Sequence, residues 1–244
     1  MKISVIIPYK NEPETAGLVG RCLTSVMNQQ FDVQYIIDFD GKGVSATRNK
    51  GIELALKNGA DYITFLDADD EYTPDAYKQI REAIEEEPQE QIIQLNHFLM
   101  SSDGSMRVRF FNRRATYYPG CLPQFWVGVW NKIYKADLIR DIRFKEGMSY
   151  GEDEIFNLQC LIKARQIYCA EKMAVIHHKD NPASLSKTAT VKDLMDEQMA
   201  LCDLANRAYE NGDQEICETI RIRQTELWDN GAYKRIFSEV HNNI

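Results

Sequence analysis

The fold of this chain is decided by the stretch Tyr62–Asp70, which reads YITFLDADD. Its first five residues have the apolar and β-branched composition of a buried strand, and three carboxylates follow at once. Three acidic groups at the mouth of one strand repel each other, so a positive partner is expected beside them, most simply a divalent cation that carries a phosphate. The carboxyl end of a strand is also where α/β sheets bind their ligands.

Strands and helices alternate on the amino-terminal side of this stretch. Apolar runs predict strands at Ile3–Ile7 and Val33–Phe39, and helical spacing predicts helices at Glu12–Gln29 and Val44–Asn58. A strand at Tyr62–Leu66 completes the order strand, helix, strand, helix, strand. That order is typical of a parallel sheet with right-handed crossovers.

The second half of the chain has a different pattern. The predicted elements are a helix from Thr73 to about Glu87, strands at 91–100 and 106–111, an irregular aromatic segment at 117–132, a short helix at 135–140, a helix at 151–164, strands at 166–170 and 174–178, and helices from about 190 onward. The predicted fold class is therefore α/β, with a mixed and mostly parallel central sheet, flanking helices and a C-terminal helical extension.

Bulk composition is that of an ordinary globular protein. The chain has 244 residues, of which 44% are hydrophobic and 27% charged, and its net charge of −8 argues against a broad nucleic-acid surface, although a local basic patch is left open. No apolar run approaches the roughly 20 residues of a membrane span, and no secretory signal precedes the first strand. The six cysteines lack a CxxC pairing and are interpreted as reduced, buried thiols. We expect a cytoplasmic protein, with attachment to a membrane surface left open.

Two acidic clusters are candidates for chemistry. Asp67, Asp69 and Asp70 either bind a metal–diphosphate or act as turn and helix-cap residues before Thr73, and these residues alone do not decide between the two. Residues 151–154 read Gly-Glu-Asp-Glu, which suits a general base at a helix start. Acidic first turns are common for electrostatic reasons alone, so the structural interpretation is favoured when this cluster stands by itself.

Basic and aromatic residues form the remaining candidates. Arg48 and Lys50 lie early in a helix, against the helix-dipole preference, which suggests a phosphate contact or a buttress for the acidic cluster as much as a solvated face. His178 and Lys179 end a strand and are either ligand contacts or a polar strand end. Trp126 and Trp130 could stack on a sugar, but packing is the default for tryptophan.

In chain order, these segments resemble glycosyltransferase family 2, the inverting, nucleotide-sugar-dependent enzymes with the GT-A fold. The matching segments are residues 2–12, 25–29, 45–51, 65–70, 151–153 and 184–186. One departure is that the acidic turn at 38–43 leads directly into the helix at Val44, so one strand–helix unit of the family is missing. The resemblance covers about residues 1–187.

The resemblance implies a role for each matched residue. For nucleotide contacts it implies Pro8, Tyr9, Glu12, Asp40, Arg48, Asp67, Ala68 and Lys179, with Asp38 as the alternative to Asp40 for the base. For Mn²⁺ or Mg²⁺ it implies Asp69 first, together with Asp67 and His178, and with Asp70 in support. It makes Asp153 the general base and places Glu152 on the acceptor side. The aromatic segment 125–134 would shape the acceptor pocket.

The resemblance also implies an organisation and partners. Residues 1–187 would form the GT-A domain, with a nucleotide-binding half at about 1–75 and an acceptor half at about 76–187, and residues 188–244 a helical extension. The expected partners are a nucleotide sugar, in the first place a UDP-sugar, and a hydroxyl acceptor on a glycan or a lipid-linked or other molecule. Nucleic acid is the least expected partner, and a homodimer is left open.

Two other classes compete with this interpretation. A sugar-phosphate nucleotidyltransferase would need a glycine-rich basic loop directly after the first strand, and Pro8–Pro13 offers none. A non-catalytic nucleotide- or sugar-binding module would not need both acidic clusters. The transferase therefore stands as the leading hypothesis.

Overall fold

The computed structural model describes residues 1–10, 16–37, 41–111, 114–117, 127–179, 189–228, 233, 234 and 236. In chain order the elements are β1 (Ile3–Tyr9), α1 (Ala16–Met27), β2 (Asp32–Ile37), α2 (Val44–Lys57), β3 (Tyr62–Phe65), β4 (Glu71–Tyr72), α3 (Ala76–Glu86), β5 (Ile92–Met100), β6 (Met106–Arg109), β7 (Arg114–Tyr117), β8 (Lys132–Lys135), α4 (Glu152–Ala164), β9 (Gln166–His178), α5 (Val191–Glu210) and α6 (Gln214–Trp228).

The strands form one sheet in the order β2-β1-β3-β8-β5-β9-β4, with β6 on β5 and β7 on β9. β1 pairs in parallel with both β2 and β3, as the alternating pattern of the first half predicts. The α/β fold class is thus confirmed.

Pairing in the second half is mainly antiparallel. β5 and β9 are parallel, but β8 runs antiparallel to both of its neighbours, and β4, β6 and β7 are antiparallel to their partners. The sheet is therefore mixed, and its parallel pairs are β1–β2, β1–β3 and β5–β9. Among these antiparallel pairs, β5 and β6 are consecutive strands joined by a short turn, whereas β8 pairs with strands that lie far from it in sequence.

Three local predictions differ from the structure. The expected helix at 135–140 is instead the end of β8 and a turn, because sheet pairing on both sides of β8 outweighs its helical pattern. The expected strands at 166–170 and 174–178 are one strand, β9, which stays paired through a register shift around Asn96 of β5. The short strands β4, β7 and β8 were not predicted.

The sheet carries a hydrophobic core on each face. Alternation along β1 sends Val5 and Ile7 to the face covered by α1 and α3, and Ile6 to the face covered by α2 and α4. The second core also contains residues of α5 and α6, among them Leu201 and Ile220. The residues after 188 thus continue a core that begins at β1.

Helix α2 lies unusually close to β1. A Cβ atom added at Gly51 would overlap the side chain of Ile6, so only glycine allows this approach. Arg48 lies three residues earlier on the same helix and is almost fully buried. The close packing of α2 therefore carries a charged side chain into the interior.

The cysteines and helices test two further expectations. Cys22, Cys160, Cys169 and Cys217 are buried free thiols, as expected, but Cys202 is exposed. Cys121 lies outside the described residues. Among the described helices, none has the length and apolarity that crossing a bilayer requires.

Candidate active site

The three carboxylates after β3 lie together. One oxygen from each of Asp67, Asp69 and Asp70 lies within 4.8 Å of the others. A tight turn produces this arrangement, because the amide of Asp70 donates to the carbonyl of Asp67 at 3.0 Å. Asp67 and Asp69 are partly exposed and Asp70 is buried. Oxygen donors of this kind and spacing fit Mg²⁺ or Mn²⁺, so the residues present suit the expected cation.

Arg48 joins this cluster to the second acidic motif. Its Nη2 donates to Asp67 Oδ1 at 2.8 Å, and its Nη1 donates to Asp153 Oδ1 at 2.7 Å and Glu152 Oε1 at 3.1 Å. The guanidinium carbon also lies 5.2 Å from the centroid of the Phe144 ring. Burial alone would lower the pKa of Arg48, but the three carboxylates raise it, so the side chain is a permanent cation. Of the two roles expected for Arg48, this geometry favours the buttress over the diphosphate contact.

Asp153 lies in the first turn of α4 and faces the same space. Its Oδ1 binds Arg48, and its Oδ2 accepts a hydrogen bond from the amide of Val129 at 3.3 Å. Burial raises the pKa of Asp153 to about 7, although the charge of Arg48 acts in the opposite direction. A carboxylate that titrates near neutrality is suited to accept a proton.

The turn that presents Val129 is itself fixed by buried polar side chains. Asn157 donates to the carbonyl of Val127, and Asn131 donates to the carbonyl of Leu95 at 3.2 Å. Lys132, the next residue along, is completely buried. Lys132 was not among the predicted site residues. A lysine flanked by the large apolar and aromatic side chains of VWNKIY is nevertheless a sequence signal for a buried charge.

The two histidines at the end of β9 engage different acids. His177 Nδ1 lies 2.9 Å from Asp70 Oδ2, and His178 Nε2 lies 2.8 Å from Glu71 Oε1. Burial raises the pKa of Asp70 to about 7, against the effect of its hydrogen bond with His177. Trp130 stacks on His177 with ring centroids 4.5 Å apart and is buried, so its expected packing role is confirmed. The imidazole ring that reaches the acidic cluster is therefore that of His177. The sequence prediction was His178, but the ring of His178 contacts Glu71 instead.

The remaining predicted residues are less central in the structure. Pro8 and Tyr9 are buried at the carboxyl end of β1, and Ala68 is half-buried in the acidic turn. Lys179 is exposed, and its amide donates to the carbonyl of Met100 at 2.9 Å. The other predicted residues lie outside the described part of the chain, namely Glu12, Asp38, Asp40, Trp126 and the segment 184–186.

The C-terminal helices brace the turn that carries Asp153. Glu197 of α5 packs against Gly151, which has a left-handed backbone with φ of 75°. Arg223 of α6 forms a two-pronged ion pair with Glu154, with Nε–Oε1 at 2.5 Å and Nη2–Oε2 at 3.1 Å. Sequence analysis assigned no role to this region, because both contacts join parts of the chain that are far apart in sequence.

Comparison with known sequences finds a family model that matches part of the chain. The sequence model described as glycosyl transferase family 2 matches residues 29–118, which include α2 and the acidic cluster. Over these residues the chain is similar to glycosyltransferase family 2. This similarity agrees with the order of the motifs and with the mixed sheet.

A relative and solved structures are also similar to this chain. The glycosyltransferase GlyA of Streptococcus pneumoniae is 24% identical over 261 residues, covering 85% of this chain and 35% of GlyA. The chain thus spans about a third of that relative's length. S. aureus TarS 1–349 in complex with UDP-GlcNAc aligns with a TM-score of 0.68 and 16% identity over 93% of this chain and 75% of that one. Its UDP complex aligns with a TM-score of 0.60 and 19% identity over 86% and 72%. These likenesses confirm the GT-A fold.

Proposed function

We propose that this protein transfers a sugar from a nucleoside diphosphate sugar, in the first place a UDP-sugar, to an acceptor hydroxyl with inversion at the anomeric carbon. The observation that carries the proposal is Arg48, which holds Asp67 of the acidic cluster and Asp153 of α4 on one guanidinium. This contact supports a site in which donor-binding residues and a general base lie side by side. The family-model match and the UDP and UDP-GlcNAc complexes of TarS support the choice of donor.

In this proposal Asp153 removes the proton of the attacking hydroxyl. Its carboxylate is oriented at both oxygens, by Arg48 and by the amide of Val129, and each oxygen keeps a further lone pair with which the acceptor hydroxyl could interact. A positioned base of this kind contributes about 10²–10⁴-fold to a rate. Glu152, on the same guanidinium, lines the acceptor side and keeps Arg48 in place.

Asp69 and Asp67 would hold the divalent cation, and Asp70, pinned by His177 and the amide of His178, would support the turn. When bound, such a cation supplies Lewis-acid stabilisation of the charge that develops on the departing diphosphate. The expected acceptor is the hydroxyl of a glycan or of a lipid-linked molecule.

The test is release of UDP from UDP-GlcNAc in the presence of Mn²⁺, with water as the acceptor. We expect slow turnover by the wild type, loss of Mn²⁺-dependent turnover in Asp69→Ala, and a decrease of about 10²-fold or more in Asp153→Asn with UDP binding retained. The exposed Asp141→Asn is the matched control and keeps wild-type turnover. Turnover should rise with pH through about 7, because Asp153 must lose its proton to act as the base.

Two results would contradict the proposal. Tight binding of UDP without turnover of UDP-GlcNAc, UDP-glucose or UDP-galactose would favour a nucleotide-binding module. Full turnover in Asp153→Asn would exclude this residue as the base.

A further inference from the structure

A lysine lies at the centre of the sheet directly behind the proposed base. Lys132 opens β8, between β3 and β5, and its side chain has no solvent exposure. Taking an ammonium group out of water is costly unless hydrogen bonds compensate for the lost hydration. A hydrophobic residue at this position would avoid that cost, so the lysine calls for a reason beyond packing.

The contacts of Lys132 lead to Asp153 through one peptide group. Its Nζ donates to the carbonyl of Gly128 at 2.7 Å and to Asn131 Oδ1 at 3.2 Å. The carbonyl of Gly128 and the amide of Val129 belong to the same peptide unit, and that amide donates to Asp153 Oδ2 at 3.3 Å. Ammonium, peptide and carboxylate therefore form a continuous chain of two hydrogen bonds.

Such a chain strengthens both of its bonds. An ammonium that donates to the carbonyl oxygen polarises the peptide and makes its N–H a better donor. A carboxylate that accepts from that N–H makes the carbonyl oxygen a better acceptor. We propose that Lys132 is a positioning residue for Asp153, acting through the Gly128–Val129 peptide to hold the carboxylate ionised and oriented. This inference rests on the proposed function, in which Asp153 is the general base.

The other charged and titratable groups around the pair come from several elements. Asp153 faces Arg48 of α2, Glu152 of its own helix and Asp67 after β3; Lys132 faces Cys160 of α4, Cys169 of β9 and His97 of β5. Burial lowers the pKa of Lys132 to about 7, while the charge of Asp153 is the main influence in the opposite direction. Lys132 and Asp153 thus lie at the two ends of the Gly128–Val129 peptide, and the charge of Asp153 favours the protonated form of Lys132.

The experiment compares Lys132→Met, which removes the charge and the donor, with Lys132→Gln, which keeps a neutral donor. Lys135→Met on the same strand is the control, since Lys135 is partly exposed and outside the site. With UDP-GlcNAc and Mn²⁺ we expect kcat to fall about tenfold or more in Lys132→Met and KM to change less than about twofold, because orientation of the base is lost and donor binding is not. Lys135→Met should match the wild type in both.

A second measurement does not depend on turnover. The carboxyl carbons of aspartate, labelled with ¹³C, are titrated by NMR, and the Asp153 signal is assigned by its absence in Asp153→Asn. We expect the midpoint of Asp153 to move to higher pH in Lys132→Met and, by a smaller amount, in Lys132→Gln. The rising limb of the pH profile of kcat should move in the same direction.

The outcomes separate this inference from the proposed function. If Asp153→Asn abolishes turnover but Lys132→Met keeps the wild-type kcat and the wild-type titration of Asp153, only the role of Lys132 is overturned. If Asp153→Asn turns over normally, the proposed function fails first. Circular dichroism checks folding; if Lys132→Met does not fold, Lys132→Gln replaces it in both measurements. Failure of both variants to fold would assign Lys132 to the fold alone and overturn the inference.

Discussion

Each terminal nitrogen of Arg48 faces a carboxylate, and its side chain is 4% exposed. The three acids that it contacts would repel each other without it. Removal of one partner of a buried ion pair leaves the other charges desolvated and uncompensated. This destabilises the protein more than replacement of the whole pair by apolar residues does.

Arg48→Met is therefore expected to lower the free energy of unfolding by about 3 kcal/mol and to abolish UDP release. Urea denaturation without added metal measures the first effect, and the UDP-GlcNAc assay the second. Arg140→Met is the control, because Arg140 forms a similar close pair with Asp137 but on the surface, where no measurable change is expected. Equal effects of the two substitutions would mean that the central position of Arg48 has no energetic consequence.

At this scale the sequence predicts which side chains are unusual better than it predicts their partners. Arg48 stands out because a cation early in a helix opposes the dipole, yet its partners lie 19 and 105 residues away, a pairing that only the tertiary fold creates. His177 and His178 are adjacent in sequence, and the alternation of side chains along β9 decides which of the two rings reaches Asp70. Lys132 is one of two lysines in the four-residue strand β8, and the sequence does not show which of the two is buried.

The first turn of α4 is the element on which the proposed base depends. Gly151 ends the preceding loop with a left-handed backbone, and the carboxyl group of Glu197 occupies the space where a side chain would begin. Two constraints of different kinds therefore act on one residue. Backbone strain for a non-glycine residue there amounts to about 1–2 kcal/mol, and the overlap with Glu197 adds to it.

Gly151→Ala is expected to reduce stability and turnover together, because relief of the overlap moves the turn that carries Asp153. Gly147→Ala is the matched control, since Gly147 also has a left-handed backbone, with φ of 83°, but nothing near the position of an added Cβ. It should show the loss of about 1–2 kcal/mol from strain and keep its turnover. Thermal unfolding and the UDP-GlcNAc assay separate the two variants. Identical turnover would indicate that the contact with Glu197 does not position the base.

Elements were predicted best where local pattern and tertiary surroundings agree. The strands and helices from β1 to β3 have apolar periodicity that matches their burial, so their existence and order follow from sequence. β8 was assigned to an irregular segment and a helix because its pairing with β3 and β5 is a long-range effect. The two-residue strand β4 exists through its pairing with β9 and has no pattern of its own.

At the scale of the whole molecule, the C-terminal helices α5 and α6 share a hydrophobic core with the preceding part of the chain. Core residues of α5 and α6 pack in the same cluster as Ile6 of β1 and Ile52 of α2. The ion pair between Arg223 and Glu154 adds a polar link. A boundary after residue 187, chosen where the family resemblance ends, therefore does not coincide with a break in the core.

A chain ending at residue 188 is expected to lose cooperative unfolding and to bind a hydrophobic dye such as ANS, because it exposes one face of the sheet's core. A chain ending at Ile236 keeps every described core residue and should unfold like the full-length protein. Circular dichroism melts and dye fluorescence compare the two. A stable and cooperative 1–188 fragment would show that the helices are an independent extension.

The hydrogen bond between Arg48 and Asp153 closes a loop of 105 residues. The entropic cost of closing a loop increases only slowly with loop length, so a contact over this distance is compatible with a stable native state. Contacts between residues far apart in sequence nevertheless form slowly, so this hydrogen bond is expected to form late in folding. A nascent or partly folded chain could thus form β1 to β3 and the acidic turn well before the proposed base, Asp153, arrives. Under the proposed function, recovery of activity on refolding would report that α4 has docked against the sheet, and topology alone would prevent an unfinished chain from transferring a sugar.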